Sequence, residues 1–98
     1  MPKNGLHPIH PGEFLREALV ELDISQARFA TAISVSPMRV SHVVKGARPV
    51  TAELAPLLCR AFGQTPQYWL NLQTDFDLKT AEKVIGKRLR GVPELVAL

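Results

Sequence analysis

The sequence predicts an all-α fold, and three observations carry that prediction. No stretch shows the period-two alternation of a half-buried strand, and apolar residues instead recur at helical spacing. Serines and threonines stand where helices should begin. Two of them, Ser36 and Thr65, directly precede a proline, whose missing N–H costs nothing at a first helical position. Ninety-eight residues, 46% apolar and 21% charged, fit one domain with one modest core, spanning residues 1–98.

The elements follow in order. Residues 1–10, rich in proline and histidine, read as an irregular arm. A first helix is expected from about Gly12 to Leu22, with Phe14, Leu15, Ala18, Leu19 and Leu22 as its apolar stripe and Glu13 near its positive end. Asp23-Ile24 connects it to a second helix, capped by Ser25 and running to Ile33, with Phe29, Ala30 and Ile33 inward. Ser34-Val35 is a tight turn. Ser36 caps a third helix with Pro37 first and Val40, Val43 and Val44 inward, and Gly46 ends it. Thr51 should cap a fourth helix reaching Phe62, with Pro56 one turn in, where it would remove a hydrogen bond and bend the helix. Gly63 closes it. Thr65-Pro66 opens a short fifth helix carrying Tyr68, Trp69, Leu70 and Leu72. After Gln73-Thr74-Asp75 a sixth is expected from about Asp77 to Arg90, then an apolar tail. The division is thus an arm (1–10), a core (12–73) and a C-terminal helix with its tail (77–98).

Helices two and three, short and joined by a tight turn, have the layout of a helix-turn-helix, which points to double-stranded DNA. Two helices crossing sharply need a small residue where they touch, and Ala30 supplies it. The charge pattern agrees. From Ile24 to Ala52 there is no acidic residue, while Arg28, Arg39, Lys45 and Arg48 are present, so a face built from this stretch can approach a polyanion without repulsion. The net charge is only +3, too small for a general nucleic-acid coat, so the local pattern matters more than the total.

The outward residues of the third helix should meet the major groove. Arg39 can donate twice to guanine O6 and N7, Pro37 and Met38 can press on a thymine methyl, and Ser41 and His42 can bond a base edge. Gln26, at a helix start with free backbone N–H groups behind it, should hold backbone phosphates, as should Ser36, and Lys45 and Arg48, which flank Gly46. Each has a plainer reading: Arg39 as a solvated or phosphate-bound charge, Met38 and His42 as ordinary surface side chains.

Other chemistries find little support. His7, His10, His42 and Cys59 lack the spacing of a metal site, and Cys59 reads as a small buried apolar residue. Ser25, Ser36 and Thr51 are explained by capping, with no nucleophile and base among them, so no catalytic residue and no cofactor is expected. A lone cysteine, no apolar run near 18 residues and no cationic-then-apolar N-terminus suggest a cytoplasmic protein.

Three stretches together carry a resemblance. His10-Pro11-Gly12-Glu13-Phe14-Leu15-Arg16-Glu17, then Gly46-Ala47-Arg48-Pro49-Val50-Thr51 after the helix-turn-helix, then Phe62 to Gln73 with Pro66-Gln67-Tyr68-Trp69-Leu70-Asn71-Leu72-Gln73, followed by Asp77-Leu78, resemble the HigA-type antitoxins. These belong to the Xre, or phage-repressor-like, helix-turn-helix group, near the VapI-like regulators. The resemblance implies a lambda-repressor-like core of five helices plus the C-terminal helix, a homodimer, and a palindromic operator in the promoter of its own operon. It also implies a small basic RelE-like ribonuclease toxin of the HigB kind, which the antitoxin holds inactive. Carried over by position, Pro37, Met38, Arg39 and His42 read bases, and Gln26, Lys45 and Arg48 hold phosphate. The sequence departs from the family at Ser34, where glycine is usual, at Pro37, which replaces a longer polar residue, and at Pro56, which replaces a good helix former. The alternative is a stand-alone Xre-type regulator without a toxin.

A single module meets one half-site, and two modules roughly 34 Å apart give useful affinity, so a dimer is expected. Leu78, Ala81, Ile85 and Leu89 form an apolar line suited to it, unless they pack on the core. The toxin surface is left open between the arm with the first helix, whose Glu13, Glu17 and Glu21 form an acidic line, and the tail from Val92.

Overall fold

The computed structural model describes residues 8–96. Its elements are α1 (Pro11–Leu22), α2 (Gln26–Ile33), α3 (Pro37–Val44), α4 (Leu54–Phe62) and α5 (Pro66–Arg90), with no strand among the described residues. Most of the expected arm, His7 included, and the last two residues of the tail lie outside the described residues.

The helix starts follow the hydroxyls. Ser25 accepts from the Arg28 backbone N–H and Ser36 from that of Arg39, each at 3.1 Å, and Thr65 accepts from that of Tyr68 at 3.3 Å. Each satisfies a donor that the first turn leaves orphaned. Ser34, between α2 and α3, adopts φ 60° and ψ 43°, the left-handed conformation that glycine would take without strain. With a serine there the turn carries a cost of about 1 kcal/mol.

Helix α1 uses a different cap. His10 Nδ1 accepts from the Gly12 backbone N–H at 2.8 Å, and the ring is 7% exposed. It packs edge-on against Phe76 of α5, with centroids 4.9 Å apart, and a Cβ added to Gly46 would lie 3.6 Å from the ring. Two residues on, α1 meets α3 so closely that a Cβ on Gly12 would fall on the Val43 carbonyl oxygen. The His-Pro-Gly-Glu run is therefore a packing device: a buried cap, a helix-starting proline, a required absence of side chain, and a carboxylate in the first turn.

The core joins Leu15 and Leu19 of α1, Phe29 and Ala30 of α2, Val40 and Val43 of α3, Leu54 and Leu58 of α4 and Trp69 of α5. Ala30 is fully buried where α2 crosses α3. Phe29 stacks on Phe62, which leans on Trp69, so an aromatic row ties α2, α4 and α5 together. Leu22, expected in the α1 stripe, is 61% exposed, because the chain turns away at Asp23. Cys59 is half-buried rather than buried, with its thiol against the Pro56 carbonyl at 3.2 Å.

Two expectations are corrected. Thr51 does accept from the Leu54 N–H at 3.1 Å, but regular helix begins only at Leu54. Pro56 has no N–H to return to Ala52, so the turn before Leu54 is incomplete, and proline falls within the first turn of α4 rather than one turn inside it. The fifth and sixth helices are one: α5 runs unbroken for 25 residues, about 37 Å. Its apolar face changes side. Trp69 is buried and Leu78 is 56% exposed; nine positions, about two and a half turns, set them on opposite faces. That reversal imitates a break in the sequence without being one.

Candidate nucleic-acid interface

Helix α3 presents its N-terminal half outward because Val40, Val43 and Val44 hold the opposite face in the core. Pro37 and Met38 are exposed, Met38 by 68%, while Arg39, Ser41 and His42 are half-buried at the rim. All five expected base-reading residues thus lie on one side, outside the core. Gln26 is half-buried at the first position of α2, and Ser36 is exposed with its hydroxyl committed to capping α3. Gly46, at φ 79°, turns the chain. The backbone N–H groups of Ala47 and Arg48 then return to the His42 carbonyl at 2.8 and 3.2 Å, which sets exposed Lys45 and Arg48 on either side of the turn.

The loop that carries Arg48 is fastened from behind. Gln73 of α5, buried, accepts from the Val50 N–H at 2.7 Å and donates to Asp77 at 3.0 Å. His10 lies under the same loop. Burial pushes its pKa below the usual 6.5, opposed by the carboxylates of Asp77 and Glu13 and by the Arg48 backbone. Neither residue was expected to matter here. A polar residue's burial depends on the tertiary packing, and the sequence offers no periodicity that would mark it.

The charge of the face differs from the sequence expectation in one respect. The stretch without acid ends at Ala52, and the next residue, Glu53, folds back onto α3. Its Oε1 lies 3.5 Å from Nη1 of Arg39, whose Nη2 donates to the Thr51 hydroxyl at 2.9 Å. Arg39 is therefore bracketed by the start of α4 rather than extended into solvent. Among the described residues no group of three His, Cys, Asp or Glu side chains lies close enough to hold a metal ion, and no helix is long and apolar enough to cross a membrane.

The outward face of α5 is open. Leu78 and Ala81 are exposed, Leu89 is 45% exposed, and Ile85 is half-buried. Among the described residues the core does not cover Leu78, Ala81 or Leu89.

Comparison with known proteins gives a consistent result. A helix-turn-helix family profile matches residues 15–69. The chain is 45% identical over 82 residues to virulence-associated protein I of Dichelobacter nodosus, covering 83% of this chain and 76% of the relative. Among solved structures it resembles an addiction module antidote protein of the HigA family from Coxiella burnetii, with a TM-score of 0.88 and 40% identity. That match covers 93% of this chain and all of the other. It also resembles Pseudomonas aeruginosa antitoxin HigA solved with the higBA promoter, with a TM-score of 0.86, 41% identity and the same coverage.

Proposed function

Since the chain belongs to the Xre-type helix-turn-helix family that contains the HigA-type antitoxins, we propose that it binds operator DNA in the promoter of its own operon, represses it, and neutralises a toxin encoded there. The observation that carries the DNA reading is the outward face of α3, held clear of the core, set between capped helix starts and flanked by Lys45 and Arg48. It supports a mechanism in two parts. Free backbone N–H groups at the start of α2 and that of Met38 in α3, with Gln26, Ser36, Lys45 and Arg48, clamp phosphates and fix the register. Pro37, Met38, Arg39, Ser41 and His42 then meet base edges in the major groove, where Arg39 selects guanine.

A homodimer formed through Leu78, Ala81, Ile85 and Leu89 would present two such faces to a palindrome and would cover an apolar line that is otherwise open to water. Family membership supports a small basic ribonuclease of the RelE-like, HigB kind as the toxin. The line Glu13, Glu17 and Glu21, all exposed on α1, offers charge complementary to such a protein. Both DNA binding and toxin binding belong in the cytoplasm.

The test is binding of the purified protein to its own upstream DNA and to a scrambled duplex of equal length at physiological salt. Tight binding to the first alone, with two chains per site, is the expected result. Equal, weak binding to both would sink the operator reading. Co-expression with the neighbouring reading frame separates antitoxin from stand-alone regulator: growth arrest by the neighbour, relieved by this chain, is expected of the former.

A further inference from the structure

We infer that Glu53 is a specificity-determining residue: with Thr51 it brackets the Arg39 guanidinium and fixes the direction in which Arg39 addresses a base. The inference rests on the reading of Arg39 as a base reader.

The geometry is that of a positioned donor. Arginine is long and rotamer-rich, and a free one loses conformational freedom when it docks. Here one terminal nitrogen donates to the Thr51 hydroxyl at 2.9 Å and the other faces the Glu53 carboxylate at 3.5 Å. The Thr51 hydroxyl is itself fixed, because it also accepts from the Leu54 N–H at the start of α4. The bracket therefore has a rigid jaw that belongs to the fold and a mobile jaw, Glu53, whose side chain is 81% exposed and makes no other bond among the described residues. A guanidinium carries five N–H donors, so these two contacts leave enough for a two-pronged contact with guanine O6 and N7.

The placement of the carboxylate points the same way. In the run from Ile24 to Ala52 every charged side chain is basic, as suits a surface meeting phosphate. An exposed carboxylate just past its end, set against the one arginine of α3, lowers general attraction to DNA. Its compensating use is in selectivity: it neutralises Arg39 as a phosphate binder and keeps it as an oriented donor.

The experiment compares wild type, Glu53→Ala, Glu53→Gln and Arg39→Ala on a duplex enriched by the wild-type protein from a randomised library, on every single-base-pair variant of it, and on an unrelated duplex. Arg39→Ala should lose about 5- to 150-fold of discrimination at one base pair per half-site. Glu53→Ala should lose at least about threefold at that same base pair, while the unrelated duplex binds as well as before or better. Glu53→Gln, which keeps an acceptor, should recover part of the discrimination. In the Arg39→Ala background, Glu53→Ala should have no further effect at that position. Thermal unfolding of each variant checks that the fold is intact, and the exposed Glu53 side chain is not needed for it.

A Glu53→Ala profile that shifts by one common factor on every duplex, beside a position-specific Arg39→Ala, overturns the bracket and leaves Arg39 as a reader. A uniform loss for Arg39→Ala overturns the base-reading assignment itself, and the bracket with it.

Discussion

The body of the molecule, from His10 to Asp77, and the outer part of α5 beyond it obey opposite rules, although one helix runs through both. In the body nearly every contact is made within the chain: α1 touches α3 at van der Waals distance, an aromatic row joins three helices, and even the buried polar side chains His10 and Gln73 have partners. Beyond Asp77 the apolar residues Leu78, Val84 and Leu89 face water, and the helix is held by its own backbone and by pairs such as Lys79 with Asp75 at 3.1 Å. The body is a folding unit, and the outer helix is a surface. Two glycines make the contrast measurable, because a methyl group added to each meets opposite conditions.

The largest effect belongs to the body. Gly12→Ala places a Cβ on the Val43 carbonyl oxygen, in backbone that cannot yield without separating α1 from α3. A loss of about 3 kcal/mol is expected in urea unfolding, at the upper end of overpacking costs. A loss below about 1 kcal/mol would mean that the α1–α3 contact is looser than its geometry indicates.

The outer helix should respond in association instead. Leu78→Asp together with Leu89→Asp puts two charges on the open face and leaves the body untouched. Sedimentation should show a monomer at concentrations where the wild type is a dimer, operator affinity should fall at least about a hundredfold, and unfolding should lose its dependence on protein concentration. A doubly substituted protein that still sediments as a dimer would place the interface elsewhere.

Acid should weaken the body through His10. Its folded pKa lies below 6.5 because it is buried, so the unfolded chain takes up a proton that the native state refuses. The stability this contributes is complete above 6.5 and declines as the pH falls below it toward the folded value. Protonation at Nδ1 would also end its acceptance of the Gly12 N–H. The melting temperature should therefore drop between neutral pH and about pH 5.5 by more in wild type than in His10→Asn, which keeps a cap without a titrating ring. Parallel profiles would show that His10 does not control the acid limb.

The same division decides what was legible in advance. Helices α2 and α3 were readable because each rule pointed the same way: a capping serine, a small residue at the crossing, apolar spacing, and a turn. Helix α5 was not, because its apolar stripe crosses from one side to the other, and one-dimensional periodicity cannot distinguish a rotated stripe from a new helix. Pro56 misled for a related reason, since its effect depends on where α4 begins, and proline itself helps set that point. On α3, the placement of Pro37, Met38, Arg39, Ser41 and His42 outside the core was readable from spacing. The bracket on Arg39 was not, because a charge scan stops at Ala52 whereas the fold brings Glu53 back onto α3. The first acidic residue after a long basic stretch was the available signal. His10 and Gln73 stood in the runs that carry the family resemblance, but their roles behind the Arg48 loop were not readable, since what sets those roles is burial.

The smallest effect, and the one that isolates the outer helix, is expected at Gly86. Nothing lies within 4 Å of a Cβ built there, its φ is not in the left-handed region, and it sits in the interior of α5. Alanine should therefore gain the helix propensity that glycine lacks, about 0.5–1 kcal/mol, without meeting a neighbour. The gain should remain local. Amide exchange should slow across residues 78–90, while the exchange of core amides in α1 and α3, which open only by global unfolding, should hardly change. If the core amides slow equally, the outer helix unfolds together with the body and the two are one cooperative unit. If Gly86→Ala instead destabilises or disrupts the dimer, a partner chain must approach the backbone at this position, and the interface extends beyond the line from Leu78 to Leu89.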